Sequence, residues 1–318
     1  MNKWFKLLIS IIISCIGLYY SFSKVNTQEL WVNLSSANII WLFFGSILLI
    51  ITVIIRAFRW QIMIKSIESV KINHLFSSIM IGYFGNAVFP FRLGELLRAY
   101  SISQASTIQT TTAFGTILTE RLIDMLGLIS TMFLFIFLYP VSYESSQFML
   151  FAVLITLAGL FCIFLLKNNQ SRFFNYLTKF PIFKNMANIV NSIIDGLTSL
   201  PDKKDLWKII FSTITMWFLY YLITWTVNLA TGIGLNWIGV GIVLVFTSLA
   251  VAIPAAPSAI GTYHAAAIYV LTEMFLFDRL ASQSFAVLLH FVGVIPLISI
   301  GAFFFISSSV RLKDIQNE

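Results

Sequence analysis

Long apolar runs divide this chain and limit its fold more than any other feature. A helix needs about 20 apolar residues to cross roughly 30 Å of hydrocarbon. Six runs approach or exceed that length, near residues 5–22, 38–55, 113–139, 148–166, 209–231 and 284–306. Of the 318 residues, 58% are hydrophobic and 10% are charged, whereas a soluble domain has about 25% charged residues. The sequence therefore predicts an all-α polytopic membrane protein with about six full transmembrane helices.

The net charge of +7 does not indicate a nucleic-acid partner, because the basic residues separate hydrophobic runs and form no single patch. Cys15 and Cys162 lie inside apolar runs, where a thiol behaves as a small hydrophobe. We therefore expect no disulfide framework, no metal site and no cofactor. The sequence also has no Gly-x-Ser-x-Gly, His-x-x-x-His or glycine-rich phosphate loop, so no catalytic residue is predicted.

The distribution of Lys and Arg predicts the orientation, because basic connections stay in the cytoplasm. The basic groups are Lys3 and Lys6, then Arg56, Arg59, Lys65 and Lys71, then seven residues from Lys167 to Lys208, and finally Arg311 and Lys313. We expect a multi-pass protein of the bacterial cytoplasmic (inner) membrane with both termini in the cytoplasm. Residues 1–318 would form a single integral membrane domain, with halves 1–166 and 208–318 joined by a cytoplasmic amphipathic loop, 167–207.

Two further apolar regions, 75–110 and 238–277, are interrupted by Pro and Gly. This topology requires the first region to begin and end in the cytoplasm and the second to begin and end outside, as opposed re-entrant helical hairpins. Each contains Pro-x-x-x-Gly, which spans Pro90 to Gly94 and Pro257 to Gly261. Broken helices in opposed halves are typical of inverted-repeat transporters with a midplane site. Two ordinary kinked hairpins are the alternative.

The first break carries ionisable residues next to Asn86, Pro90 and Gly94. Broken backbone at membrane depth must line a protein-buried or water-filled cavity. Helical spacing would place the Glu95 carboxylate between the guanidinium groups of Arg92 and Arg98. The surplus positive charge suits a phosphate-bearing headgroup, because arginine binds phosphate bidentately. A snorkelling interfacial cluster is the alternative.

Two other groups of residues are candidate parts of a site. Glu120, Arg121 and Asp124 lie inside an apolar run, where they would form either a structural ion pair or a polar cavity wall. The second break supplies Pro254, Pro257, Ser258, Gly261, Thr262, Tyr263 and His264. A histidine beside a cavity titrates near neutral pH, and a histidine satisfied by a backbone carbonyl is the alternative. Arg56 and Arg59 beside Trp60, and His290, are interpreted as interface or packing residues.

Together, the motifs from Asn86 to Arg98, Glu120-Arg121-x-x-Asp124 and Pro254 to Tyr263 resemble the lysylphosphatidylglycerol synthase transmembrane region family, also called flippase-like or UPF0104 membrane proteins. Where the family often has Glu and Gly, this chain has His264 and Ser258. The resemblance implies a multi-span domain that moves aminoacylated or otherwise decorated lipids between leaflets. The full-length synthases add a soluble domain that transfers the aminoacyl group from tRNA, and we expect this chain to lack it.

We therefore expect a flippase-like protein that binds and translocates a membrane lipid, either an anionic phospholipid or a polyprenyl-linked lipid. Arg92 and Arg98 would hold the lipid phosphate. The carboxylates of Glu95, Glu120 and Asp124 would balance these arginines or meet a cationic headgroup. One alternative is an integral-membrane headgroup transferase with Glu95 or Asp124 as its general base. The other is a non-transporting partner of a separate lipid-modifying enzyme.

Overall fold

The computed structural model describes residues 3–23, 25–89, 93–138, 187–198, 203–252 and 257–308, with five isolated positions between 150 and 161. These residues form helices and connections, and no β-strand occurs among them. The helices are α1 (Lys3–Phe22), α2 (Thr27–Ser35), α3 (Ile39–Ile64), α4 (Ile72–Val88), α5 (Gly94–Ala105), α6 (Thr110–Leu138), α7 (Ala187–Thr198), α8 (Lys203–Thr231), α9 (Trp237–Ala252), α10 (Thr262–Tyr269) and α11 (Arg279–Ser307), with a 3₁₀ turn at Pro257–Ala259 and a π turn at Val270–Met274.

The predicted all-helical class is confirmed. Three helices, α3, α8 and α11, are long and apolar enough to cross a membrane. Two more, α1 and α6, cover the predicted runs 5–22 and 113–139. Apart from isolated positions, the predicted run 148–166 lies outside the described residues. The count of six spans therefore stays a prediction.

Exposed apolar side chains form stripes along the outer faces of the long helices. On α8, Trp207, Phe211, Ile214 and Phe218 are exposed at helical spacing. Equivalent stripes on α3 and α11 include Ile40, Phe43, Ile47, Phe291, Ile295 and Phe303. Such surfaces are unfavourable in water but match lipid acyl chains. The outer faces of these helices therefore have the chemistry of a lipid-facing surface.

The end of α3 corrects one expectation from the sequence. The apolar run near 38–55 becomes a helix that extends to Ile64, so Arg56 and Arg59 lie inside it. Both are buried, at 4% and 0% exposure. The sequence analysis assigned these arginines to the cytoplasmic side as interface or packing residues, beyond the predicted end of the apolar run; the structure has them inside the helix, and their side of the membrane stays a prediction. Their guanidinium groups find carboxylates inside the protein, which allows a charged residue to remain in a membrane helix.

The first broken region, 75–110, forms a tight pair of helices, α4 and α5. Phe89 is extended at φ −101° and ψ 141°, as expected of a residue before proline. The side-chain Oδ1 of Asn86 accepts a hydrogen bond from the backbone N–H of Gly94 at 2.9 Å. A side chain at position 94 would overlap the backbone of Gly82 and Asn86. The pairing of α4 with α5 therefore requires glycine at this position.

The second broken region, 238–277, consists of α9, the 3₁₀ turn, α10 and the π turn. Ser258 has a left-handed backbone conformation at φ 56°, and Gly261 has φ 96°. Gly261 packs directly against the backbone of Ser14 in α1, so a side chain would overlap it, and its positive φ favours glycine. This contact anchors the second break against α1.

The two hairpins enter from opposite ends of α3. The first opens beyond the carboxyl end of α3, where Thr107 donates its N–H to Glu68 at 2.9 Å. The second follows α8, whose last turn lies beside the start of α3, since Asn38 N–H donates to the Ala230 carbonyl at 2.9 Å. Asn228 then holds the connection by donating to the Leu235 carbonyl at 2.9 Å. A repeat relation between the two hairpins remains a prediction.

The predicted orientation has a direct test with single cysteines in a chain whose Cys15 and Cys162 are replaced. Ser35 in α2 and Ser66 after α3 are both exposed and lie at opposite ends of α3. In intact cells, a membrane-impermeant maleimide should label Ser35→Cys and leave Ser66→Cys unlabelled until the membrane is permeabilised. Labelling of position 66 alone in intact cells would reverse the topology.

Candidate functional site

Two acidic residues on α6 form the centre of a buried ion-pair network. Glu120 is 0% exposed, and Asp124 follows it by four residues, on the same helix face. Their partners are arginines of α3, α5 and α6 itself. Because an unpaired charge in a membrane interior is strongly unfavourable, this pairing lets all the groups stay charged.

Arg56 joins both carboxylates. Its Nη1 lies 2.5 Å from Oε1 of Glu120 and 2.7 Å from Oδ2 of Asp124. Its Nη2 donates to the Tyr220 hydroxyl on α8 at 3.2 Å. The buried Nε–H of Arg56 has no hydrogen-bond partner among the described residues. The Nε–H groups of Arg59 and Arg98 are buried and without a described partner in the same way, so this feature does not distinguish Arg56 from the other two.

Arg59 lies one turn further along α3 and is held more completely. Its Nη2 lies 2.5 Å from Oδ1 of Asp124, and its Nη1 donates to the Thr213 hydroxyl on α8 at 2.9 Å. With 0% exposure, it has no access to a ligand. Arg59 therefore anchors α3 to α6 and α8.

Arg98 pairs with Glu120 and not with its sequence neighbour Glu95. Its Nη2 lies 2.7 Å from Oε2 of Glu120, and its Nη1 lies 3.2 Å from Oε1, a bidentate geometry. The guanidinium carbon lies 3.9 Å from the ring centroid of Trp60, within the range of a cation–π contact. Arg98 is 2% exposed, so the predicted pairing with Glu95 and direct contact with a lipid phosphate are both replaced by this buried arrangement.

Glu95 instead forms an ion pair with Nη2 of Arg121. The amide of Asn86 lies 3.5 Å from the same carboxylate oxygen, which links the first break to the ion pair. The Nη1 of Arg121 lies 3.7 Å from Oδ2 of Asp124. The Arg121 side chain keeps 28% exposure, the largest of the four arginines. Arg121 is therefore the network cation with the most access to a ligand.

The charges of this network do not cancel. Four arginines, Arg56, Arg59, Arg98 and Arg121, meet three carboxylates, Glu95, Glu120 and Asp124. One positive charge remains among these residues. Arg92 and Pro90, which the sequence analysis placed in the same site, lie outside the described residues.

A cavity of about 550 Å³ lies next to the network. Arg56, Arg121 and Asp124 form its charged side. Asn86 and Phe89 at the first break also line it. The remaining charged members of the network, Arg59, Glu95, Arg98 and Glu120, are not among the described lining residues. Glu120 and Glu95 form ion pairs with the lining residues Arg56 and Arg121. Arg59 and Arg98 form ion pairs with Asp124 and Glu120.

The opposite wall comes from the second break and α11. Pro257, Ser258 and Tyr263 line the cavity together with His290 of α11. The Nε2 of His290 lies 2.9 Å from the Ser258 carbonyl oxygen. Described residues beside both breaks therefore line one cavity. Pro254, the other proline of this segment, lies outside the described residues.

Three of the residues predicted for this site make other contacts and do not line the cavity. Gly261 packs on α1, and the Thr262 hydroxyl donates to the Ala259 carbonyl at 3.1 Å. His264 is 7% exposed, and its ring centroid lies 4.6 Å from that of His290 and 5.6 Å from that of Phe22. None of the three is among the described lining residues. Within the described residues, no group of three or more His, Cys, Asp or Glu side chains is arranged to hold a metal ion.

The proximity of the two breaks predicts a crosslink. Phe89 and Ser258 line the same cavity, and the 3₁₀ turn packs against α4. Cysteines at positions 89 and 258 should be joined by short bifunctional maleimides in membranes. Cysteines at positions 89 and 35 form the control pair, because Ser35 lies at the far end of α3. Failure of long reagents to join 89 and 258 would remove the shared cavity.

The sequence analysis missed Arg56, Arg59 and Tyr220. The first two were interpreted as packing residues, yet their guanidinium groups supply most of the contacts to Asp124. A signal was present, because Arg56 and Arg59 are spaced i, i+3 at the end of an apolar run. Intramembrane ionisable residues indicate a functional site by default. Tyr220 gave no comparable signal in its aromatic-rich helix.

Comparison with known proteins agrees with the motifs. The family described as "Lysylphosphatidylglycerol synthase TM region" matches residues 7–301. The UPF0104 membrane protein MJ1595 of Methanocaldococcus jannaschii is 28% identical over 138 residues, which are 42% of this chain and 40% of that protein. The UPF0104 membrane protein MJ1078 of the same organism is 24% identical over 241 residues, 74% of this chain and 99% of that protein. The chain thus spans less than two thirds of the first relative and nearly all of the second.

The family match covers nearly the whole chain and includes every motif that carried the resemblance. The helical fold and its lipid-matching outer faces agree with it. This chain is a membrane protein that belongs to the lysylphosphatidylglycerol synthase TM region family.

Proposed function

We propose that this protein binds an anionic membrane lipid by its phosphate and moves the headgroup between the two leaflets. One observation carries the proposal. Two arginines from different helices, Arg56 and Arg121, line a cavity of about 550 Å³ between the two broken segments. The family description, which names a lipid, and the membrane proteins among the relatives support a lipid as the ligand.

The charge of the site supports a phosphate ligand. Asp124 already accepts from Arg56 and Arg59 on separate oxygens, and the network retains one positive charge. A phosphodiester would balance that charge. Arginine presents several N–H groups in a fixed plane and forms paired hydrogen bonds with phosphate oxygens. The guanidinium group of Arg56, which lines the cavity, and the exposed part of Arg121 are the groups that this contact would use.

The placement of the breaks supports movement across the membrane. Freed backbone groups at membrane depth are tolerated where they line a cavity. Here the two hairpins enter from opposite ends of α3, and the residues beside both breaks line the same cavity. This arrangement would give a headgroup a polar path between the leaflets while the acyl chains stay in lipid. We place the protein in the bacterial cytoplasmic membrane with both termini in the cytoplasm.

The transferase alternative receives less support from the geometry. It requires Glu95 or Asp124 to accept a proton from a substrate. Both oxygens of Asp124 accept hydrogen bonds from arginines, at 2.7 Å from Arg56 and 2.5 Å from Arg59. Glu95 is held by Arg121. Asp124 therefore presents no uncommitted oxygen of the kind that a general base requires, whereas the described contacts of Glu95 with Arg121 and Asn86 use only its Oε1.

Reconstitution tests the proposal directly. The purified full chain would be placed in vesicles that contain fluorescent phosphatidylglycerol, and dithionite would quench the probe in the outer leaflet. In protein-free vesicles, dithionite quenches about half of the probe, because the inner leaflet is protected. With the protein present, we expect the quenched fraction to rise above one half more quickly, while the lipid stays chemically unchanged. A modified lipid would favour the transferase alternative. Binding without movement or modification would favour a non-transporting partner of a lipid-modifying enzyme.

A further inference from the structure

The second break, α9 and α11 contribute no acidic side chain to the described lining of the cavity. Their described polar lining residues are Thr247, Ser248, Ser258, Tyr263 and His290. Four of them carry hydroxyl groups, and His290 carries no negative charge in any protonation state. This wall therefore offers hydrogen bonds to a ligand but no counter-charge to a cation.

The described lining residues include a single carboxylate, that of Asp124. Its two oxygens already lie 2.5 Å from Arg59 and 2.7 Å from Arg56. Glu95 and Glu120 also belong to ion pairs and lie behind the cavity wall. Among the described lining residues, an ammonium group would thus meet two arginines and no carboxylate that is free of an ion pair.

We infer that the headgroup taken by this cavity carries no positive charge beyond its phosphate and is hydroxylated, as in a glycerol or sugar phosphodiester lipid. The inference rests on the proposed function and narrows its substrate class. Arg56 and Arg121 hold the phosphate, while Ser248, Ser258 and Tyr263 hydrogen-bond the headgroup hydroxyls. An aminoacylated lipid is disfavoured, because its ammonium is repelled by the arginines. Lysylphosphatidylglycerol, the lipid in the family description, is therefore expected to bind more weakly than phosphatidylglycerol.

Competition binding with defined lipids tests the headgroup class. The full chain would be placed in nanodiscs of phosphatidylcholine that contain fluorescent phosphatidylglycerol. Unlabelled phosphatidylglycerol or lysylphosphatidylglycerol would then be added to displace the fluorescent lipid. We expect the lysyl lipid to need a mole fraction roughly tenfold or more above that of unlabelled phosphatidylglycerol for the same displacement, because its ammonium groups would lie beside the arginines. Soluble glycerophosphoglycerol should displace little, because it lacks the acyl chains. Equal or better displacement by the lysyl lipid would overturn the inference, and equal displacement by the soluble phosphodiester would identify a non-lipid ligand.

A pair of variants tests the same inference through the opposite wall. Ser248 lines the cavity and is half-buried. Ser248→Glu adds a negative charge to the cavity lining. Ser248→Gln adds a side chain of nearly the same size that carries no charge. We expect the glutamate variant to shift preference toward the lysyl lipid by roughly fivefold or more relative to the glutamine variant. An unchanged ratio in two variants that both bind phosphatidylglycerol would contradict the inference.

Different results would contradict the proposed function and the headgroup inference. If neither lipid displaces the probe and no lipid moves in vesicles, the proposed function itself is wrong. If both lipids bind and move equally well, the proposed function stands and the headgroup inference is wrong.

Discussion

Replacing Glu120 with glutamine is expected to destabilise the folded protein by about 3–5 kcal/mol, because removal of one partner leaves buried charges uncompensated. Glu120 is 0% exposed and contacts Arg56 at 2.5 Å, Arg98 at 2.7 Å and Arg59 at 3.7 Å. Glutamine keeps the size but removes the charge. Unfolding in detergent, followed by the loss of helical circular dichroism with rising denaturant, would measure the change.

Glu29→Gln is the matched control for this substitution. Glu29 is exposed in α2, and surface substitutions usually change stability by less than about 0.5 kcal/mol. The double variant Glu120→Gln with Arg98→Gln should recover part of the loss, because it removes the unpaired arginine too. Equal stability of the two single variants would show that the network contributes little to folding.

Replacing Arg121 with glutamine is expected to reduce lipid movement roughly ten- to a hundredfold while the protein still folds. The change would remove the charge-assisted hydrogen bonds that we propose Arg121 donates to phosphate, and each bond of this kind contributes about 1.5–3 kcal/mol. Arg121 is at the network edge, with 28% exposure, and glutamine can still donate to Glu95. Arg121→Lys should retain intermediate activity, because an ammonium keeps the charge but cannot bind bidentately. The dithionite assay in vesicles provides the measurement.

Arg279→Gln is the control for Arg121. Arg279 begins α11, where it donates to the Tyr20 carbonyl and lies 5.3 Å from the Tyr20 ring centroid. It is exposed and is not among the cavity-lining residues. Lipid movement should remain close to that of the unchanged chain. Equal losses in the two variants would indicate a nonspecific effect of removing an arginine, and no loss in either would remove Arg121 from the site.

The long helices and both breaks could be predicted from the sequence for simple physical reasons. An apolar run must form a helix in hydrocarbon, where backbone groups have no water to bind. Pro90 and Gly94 interrupt such a run locally, so the break can be located without any tertiary information. The same reasoning located Glu120 and Asp124, because charges in an apolar run are conspicuous.

The ion-pair partners could not be predicted in the same way. Local spacing favours a pair between Glu95 and Arg98, but Glu95 binds Arg121 and Arg98 binds Glu120. These partners are on neighbouring helices, and their pairing depends on how α5 packs against α6. Arg56 and Arg59 meet Asp124 across more than 60 residues of sequence. A single sequence contains the charges but not the packing that brings them together.

The ion pairs have a further consequence for how the protein could open. Apart from the exposed pair Lys208–Asp205, the described ion pairs connect α3, α5 and α6 to one another. Across the cavity, α9 and α11 meet this block through apolar and uncharged polar side chains. Separating ion pairs in hydrocarbon costs several kcal/mol, whereas acyl chains readily replace apolar contacts between membrane helices. For the lipid movement that we propose, we therefore expect α9–α11 to rotate as a unit against α3, α5 and α6, because the described contacts between the two groups are uncharged.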